Sequence, residues 1–323
     1  MKKRLFIGID VGGTNMRAAL VDDAGSILHV ERIATRSSGG AEDTSRRLID
    51  ACRSLVARAS KGGARVAAVG MGVAGKIDAR QGLLIFSPNM PAMRNYPLGV
   101  ELRDGLGLPV FMENDANVFG LGENWVGSGR NVDNWIGLTL GTGVGGCIFF
   151  HSRLWEGDHL GFVAEIGHLV VHPEGPACAC GSQGCLETHA SATALLKGVE
   201  NAAQNGALLE GPLFDRWRQQ SLNAEMIYQC ASAGDETALK LFRRMGWALG
   251  LALSNLFTVL GIRHAILGGG VSASWDLFIG PLRDSFTRYT RFLSPEEMVV
   301  MKSSLGDNAA LLGAARHAMD QVS

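Results

Sequence analysis

The feature that most constrains this chain is a pattern that occurs twice. Leu5-Phe6-Ile7-Gly8-Ile9 reads as a strand, Asp10-Val11-Gly12-Gly13-Thr14-Asn15 as a turn, and Met16 to Val21 as the returning strand. About 130 residues later the pattern recurs, and a repeat on that scale marks a duplicated structural unit. Trp135 to Leu140 is the strand, Gly141-Thr142-Gly143-Val144-Gly145-Gly146 the turn, and Cys147 to Phe150 the return. In 323 residues, roughly twice a typical domain, this predicts two related α/β lobes that face each other.

The elements between the repeats fit that reading. Ser26 to Arg32 makes a third strand after the turn Asp22-Asp23-Ala24-Gly25, so an antiparallel edge on a mixed sheet is expected. Leu48, Ile49, Cys52, Leu55, Val56 and Ala59 fall on one helical face that ends at Gly62-Gly63. Arg65 to Gly72 and Pro109 to Glu113 are short apolar runs, as strands covered on both faces should be. A helical region spans roughly 190 to 260 and closes with a helix from Ala238 to Leu260. The strand His264 to Leu267 runs into Gly268-Gly269-Gly270, and a last helix from about Asn308 to Gln321 is expected to pack back on the first lobe, with no further strand to support it.

Composition excludes several classes. Hydrophobic residues are 46% and charged residues 19% of the chain, which rules out disorder. The net charge of -1 offers no basic excess for nucleic acid. The opening MKKRLFIGID lacks a leader's apolar region, and the run Trp247 to Gly261 is too short and too polar for a bilayer, so no membrane partner and a cytoplasmic location are expected. Glycine is the outlier: 43 residues make about 13%, against a usual ~7%, and we read the excess as concentrated at turns.

Those turns suit phosphate. Backbone N–H groups grip a phosphate where no Cβ blocks the approach, and Gly12-Gly13-Thr14 and Gly141-Thr142-Gly143 each add a hydroxyl. Asp10, at the end of the first strand, could hold magnesium through water. The competing reading is a pair of tight hairpins that need glycine for geometry alone. Gly70 to Gly75 and Gly141 to Gly146 both spell the dinucleotide fingerprint, yet neither opens a helix, so a nicotinamide cofactor is excluded on context.

Cys178, Cys180 and Cys185 lie on one glycine-bearing loop, with His168 ten residues upstream. Three thiolates and an imidazole make a closed, structural zinc set; a redox pair leaves the third thiol unexplained, and an iron–sulfur cluster wants a fourth cysteine. Idle reduced thiols are the remaining alternative. Glu165 and Glu187 flank the loop, which zinc would hold in place. Glu113-Asn114-Asp115-Ala116-Asn117 follows a strand and starts a helix, where Asn114 and Asp115 are equally readable as helix caps or as ligand-binding groups at a strand's end. Asn89, between Pro88 and Pro91, is a further polar candidate or simply a turn residue.

Together these stretches resemble the ROK family of repressors, open reading frames and sugar kinases. The resemblance runs from about residue 5 to 317 through Asp10-Val-Gly-Gly-Thr14, Glu113-Asn-Asp-Ala-Asn117, Leu140-Gly-Thr-Gly-Val-Gly-Gly146, Glu165-Ile-Gly-His168 and Cys178-Ala-Cys-Gly-Ser-Gln-Gly-Cys185-Leu-Glu187. It implies an α/β, two-lobed actin-like ATPase (ribonuclease H-like) fold with mixed sheets and a sugar in the interlobe cleft. Residues 1-118 plus 300-323 would form the smaller lobe, and 119-299 the larger one with the zinc loop. It implies that Asp115 is the catalytic base and that Gly75, Asn89, Asn114, Asp115, Glu165, His168 and Glu187 meet the hexose, His168 also touching zinc. Asp10, Gly12, Gly13, Thr14, Asn15, Gly141, Thr142, Gly143, Gly145, Gly268 and Gly269 would take ATP with its Mg2+.

The resemblance points to ATP-dependent phosphorylation of a hexose at its 6-hydroxyl, and Glu187-Thr-His-Ala190-Ser-Ala192 looks most like the glucokinase branch. Kinases for allose, mannose, fructose and N-acylhexosamines share the same core. A sugar-responsive repressor of the family would carry a DNA-binding segment ahead of residue 12, which the sequence leaves no room for. Relatives are commonly dimers or tetramers. Three departures bear on the sugar: Ala74 stands where proline is usual, Met93 where tryptophan is, and Ala164 where glycine is common.

Overall fold

The computed structural model describes residues 3–12, 15–34, 39–158 and 162–323. Gly13 and Thr14 therefore lie outside the described residues. In chain order the elements are β1 (Arg4–Val11), β2 (Asn15–Asp22), β3 (Ile27–Ala34), α1 (Gly40–Lys61), β4 (Arg65–Val73), β5 (Lys76–Asp78), β6 (Leu83–Phe86), α2 (Leu98–Leu106), β7 (Val110–Asn114) and α3 (Asp115–Val126). They continue with β8 (Trp135–Leu140), β9 (Val144–Phe150), β10 (Arg153–Leu154), α4 (Glu187–Ala190), α5 (Ala192–Gln204), α6 (Pro212–Arg218), α7 (Ala224–Ser232), α8 (Glu236–Leu260), β11 (His264–Gly268), α9 (Trp275–Tyr289), β12 (Val299–Lys302) and α10 (Ala309–Gln321).

The duplication seen in the sequence is a duplication of topology. One sheet has the order β3-β2-β1-β4-β7 and the other β10-β9-β8-β11-β12, the same 3-2-1-4-5 arrangement counted within each. In the first sheet β1 is antiparallel to β2 and β2 to β3, while β1, β4 and β7 run parallel, which makes the expected mixed sheet. In the second, β11 is parallel to both β8 and β12. Two compact units result: Met1–Asp133, Cys147–Val163 and Ser303–Ser323 form one, Asn134–Gly146 and Ala164–Lys302 the other.

Strand alternation builds two cores around the first sheet. Leu5, Ile7, Ile9 and Val11 of β1, with Met16, Ala18 and Leu20 of β2, pack in one cluster with Leu48, Cys52 and Leu55 of α1 and Leu98 and Leu102 of α2. Phe6, Ala19, Val21 and Ala68 point the other way and meet Leu311, Leu312, Ala315 and Ala318 of α10. The last helix thus packs on the first unit's sheet, as its position in the sequence predicts.

Three expectations need correction. Most constrained glycines outside the loops serve close packing: a Cβ on Gly8 or Gly70 would overlap a carbonyl oxygen of α10, one on Gly122 or Gly313 a carbonyl across the α3–α10 contact, and one on Gly246 or Gly250 a carbonyl of α9. The excess is therefore shared between turns and helix contacts. A further strand, β12, follows residue 268 and pairs with β11. Finally β9 begins at Val144, so Gly145 and Gly146 belong to the strand and the turn is only Gly141 to Gly143.

Candidate active site

In the first unit the candidate residues collect at the C-terminal ends of parallel strands. Asp10 pairs in register with Gly72, and Gly72 with Glu113, so Asp10 and Glu113 stand level in the sheet, about 10 Å apart across two strand spacings. In open α/β sheets these ends are where ligands bind. Here α3 begins directly at the end of β7. Asn114 is its N-cap, with Oδ1 accepting the N–H groups of Ala116 at 2.9 Å and Asn117 at 3.3 Å. Of the two residues that the sequence offered as helix caps or ligand-binding groups, Asn114 performs the capping, and Asp115 opens the helix as its first residue.

Glu113 closes this corner from behind. Its Oε1 accepts the Asn114 N–H at 2.7 Å and the Asn117 side-chain amide at 3.0 Å. Sequence reasoning passed over Glu113 and Asn117, although their i, i+4 spacing was the available signal. Asp10 is held by Arg17 of β2, whose Nη2 lies 2.6 Å from its carboxylate. Arg17 was also missed, because the partner lies across the hairpin.

The sugar-loop candidates differ in character. Gly75 has φ +120, and a Cβ there would overlap the Phe86 carbonyl, so glycine is required by the backbone. Asn89 is exposed in a turn closed by the Met90 N–H on the Ser87 carbonyl at 3.3 Å. Ala164 adopts φ +50, the left-handed region that favours glycine, which gives a physical reason for glycine to be usual there and costs the chain about 1–2 kcal/mol.

The second unit brings together its glycine turns and Glu187. Gly268 pairs with Thr139, and Gly269, at φ +83, sits so close to the end of β8 that a Cβ would overlap the Leu140 carbonyl. The Gly141–Gly143 turn is closed by the Gly141 N–H on the Gly143 carbonyl at 3.0 Å. It is pinned to α5 by the Ala192 N–H on the Gly141 carbonyl (2.8 Å) and the Thr193 hydroxyl on the Thr142 carbonyl (2.7 Å). The Gly141 N–H is thus engaged within the turn. Glu187, first in α4, accepts the Val144 N–H at 2.9 Å, and a Cβ on Gly143 would overlap that carboxylate. Sequence reasoning gave Glu187 to the sugar; the structure also ties it to the turn.

The ligand atoms of His168, Cys178, Cys180 and Cys185 lie within 4.8 Å of one another. Cys178 Sγ is 3.7 Å from His168 Nδ1, and Cys180 Sγ is 3.7 Å from Cys185 Sγ. A tetrahedral zinc with Zn–S bonds of about 2.3 Å sets S···S edges of about 3.8 Å, so the donors fit zinc in both chemistry and spacing. The loop is shaped by Gly181 at φ +91 and Gly184 at φ +69, and a Cβ on Gly184 would overlap the His172 carbonyl. Burial pushes the Cys185 thiol up to about 12, while the Ser182 backbone N–H lowers Cys180. A dication would be needed to hold such a set as thiolates.

A model of the ROK family matches residues 6–321, nearly the whole chain. The chain belongs to the ROK family. A glucokinase from Thermotoga maritima is 38% identical over 98% of this chain and 97% of its own length. The crystal structure of a ROK family glucokinase from Streptomyces griseus in complex with glucose and AMPPNP superposes with TM-score 0.78 at 36% identity, covering 98% of this chain and 99% of that one. A xylose repressor from Caldicellulosiruptor bescii is 27% identical over 95% of this chain and 76% of its own length. The ROK chain therefore has the fold of these sugar kinases, the actin-like ATPase fold with mixed sheets. Among its described residues no helix is long and apolar enough to cross a membrane.

Proposed function

We propose that this protein transfers the terminal phosphoryl group of ATP to the 6-hydroxyl of glucose. The observation that carries the reading is full-length similarity to glucokinases together with an intact carboxylate, Asp115, at the end of β7. Phosphoryl transfer asks mainly for positioning and neutralisation of charge, with a carboxylate to accept the hydroxyl proton. Asp115 is that acceptor. Asn114 fills the cap, so the helix terminus is closed by the amide, and Glu113 holds the Asn114 backbone in place.

Hydroxyl recognition falls to Asn89, Asn114, Glu165, His168 and Glu187, with Gly75 allowing the sugar loop's backbone to turn. Carboxylates and amides suit this task because sugar hydroxyls both donate and accept. Gly12, Gly13, Thr14, Asn15, Gly141, Thr142, Gly143, Gly145, Gly268 and Gly269 are the residues we assign to the nucleotide. Asp10 would hold Mg2+ through water, and magnesium supplies charge neutralisation on the phosphates when bound. Zinc on His168, Cys178, Cys180 and Cys185 is structural: with four protein ligands no position stays open for water.

An ADP-release assay over glucose, mannose, allose, fructose and N-acetylmannosamine tests this. Glucose should give the highest kcat/KM, and a tenfold preference for another sugar would move the assignment within the family. The similarity to xylose repressors supports a second reading, sugar binding without transfer. Sugar binding with no ADP release on any member of the panel would favour it.

A further inference from the structure

Glu187, assigned above to the sugar, stands on a helix too short to hold itself. α4 spans only Glu187–Ala190, and a single helical turn is unstable on its own. Residues two apart on a helix lie about 200° apart around its axis. Glu187 therefore leaves α4 toward the Gly141 turn, where it accepts the Val144 N–H, while His189 leaves on the other side and is buried against α8.

What His189 meets there is an arginine. Arg244 Nε lies 3.4 Å from His189 Nδ1, and Arg244 Nη2 lies 3.4 Å from His172 Nδ1. A guanidinium only donates, so both imidazoles accept through Nδ1 in long hydrogen bonds. The same guanidinium lies over Trp247, 4.7 Å from the ring centroid. The rings of His172, His189 and Trp247 stand edge to face, each pair with centroids 6.1 Å apart. His172 in turn sits on the foot of the cysteine loop, its backbone N–H donating to the Gly184 carbonyl at 3.2 Å. One side chain of α8 thus joins α4 to the base of that loop.

The plain alternative is a packed cluster that stabilises the second unit and nothing more. The other nitrogen of His189 argues against it. Nε2 is buried and has no hydrogen-bond partner among the described residues. An unmet buried donor costs stability, and a leucine would fill the space without that cost. What the imidazole does that leucine cannot is accept from Arg244.

We propose that Arg244 is a positioning residue for Glu187: through His189 it fixes α4, and with it the carboxylate that meets the sugar. The proposal rests on the kinase reading above. Arg244 touches neither sugar nor nucleotide and acts only through the helix it holds. Its effect falls on the sugar because the Gly141 turn keeps its own ties to α5, the Ala192 N–H on the Gly141 carbonyl and the Thr193 hydroxyl on the Thr142 carbonyl.

Steady-state kinetics of the full chain test it, in wild type, Arg244→Met, His189→Leu, His189→Asn and the double variant Arg244→Met with His189→Leu, each shown folded by a cooperative melt. Arg244→Met and His189→Leu should each raise KM for glucose at least threefold and leave KM for magnesium ATP nearly unchanged. His189→Asn, whose amide oxygen can stand in for Nδ1, should keep the glucose KM below that threshold. Since both single variants break one contact, the double variant should resemble the worse of the two. A smaller rise in Arg244→Met overturns the proposal, as does full multiplication of the two single effects. Parallel rises in both KM values, or equal effects of asparagine and leucine, mark a purely structural cluster and overturn it too. If Arg244→Met does not fold, the two His189 variants decide by the same criteria. Each of these failures leaves the kinase reading standing, whereas a wild type that phosphorylates no sugar would sink that reading and this proposal with it.

Discussion

Asp115 and His189 show how one side chain can be read at two depths. For Asp115 the prediction concerns chemistry: Asp115→Asn keeps the shape and removes the proposed proton acceptor, so kcat should fall by about 10²–10⁴ while glucose binding stays within a few-fold. Turnover within tenfold of wild type would exclude it as the base. For His189 the prediction concerns stability. It is 6% exposed, receives the Arg244 Nε–H on Nδ1 at 3.4 Å, and packs edge-on against His172 and Trp247 with centroids 6.1 Å apart. Burial, then the charges of Arg244 and His172, holds its imidazole down to about 4. Because the folded value lies below the ordinary ~6.5, the unfolded chain binds the proton first, so this contribution is lost as pH falls from about 6.5 to about 4. Urea unfolding across that range should show a steeper loss for wild type than for His189→Leu; identical slopes would refute it.

Among the elements, close helix contacts and the cysteine loop carry the most consequence. Gly313 of α10 faces the Val118 carbonyl of α3 with no room for a Cβ. Gly313→Ala should therefore destabilise by about 1–3 kcal/mol, against the usual gain for Gly→Ala inside a helix. Chemical denaturation of the variant decides the sign. In the loop, metal analysis should find about one zinc per chain, and both chelation and Cys180→Ser should lower the melting temperature. A loop that stays ordered and melts unchanged after chelation would count against zinc. Elements were legible where their pattern was strong: β8 starts and ends where the apolar run does, and α8 stops at Gly261, left-handed at φ +65, as a helix-ending glycine should be. α9 went unread because Pro281 lies inside it, and β12 because three half-exposed residues and an exposed lysine carry no periodicity of their own.

On the scale of the whole molecule, the first unit is closed by its most distant segment. Phe6 and Ala68 are buried against α10, and Glu123 of α3, fully buried, accepts the Ser303 hydroxyl and the Leu305 N–H at 3.3 Å in the chain leading to it. Deleting residues 309–323 should leave that face of the sheet bare, with loss of a cooperative melt in circular dichroism; a retained sharp transition would show the unit closes without it. The sequence by itself determined the duplicated strand–turn–strand unit, the mixed sheets, the Cys and His donors and the Asn114–Asp115 corner, because each rests on residues near one another in the chain. Only the tertiary structure decided that Arg17 holds Asp10, that Glu187 fastens the Gly141 turn, and that Gly8, Gly70 and Gly313 are glycines for the sake of α10 or α3. Those depend on which partners meet across a hairpin or between segments distant in the chain, and periodicity carries no record of which partner a side chain will meet.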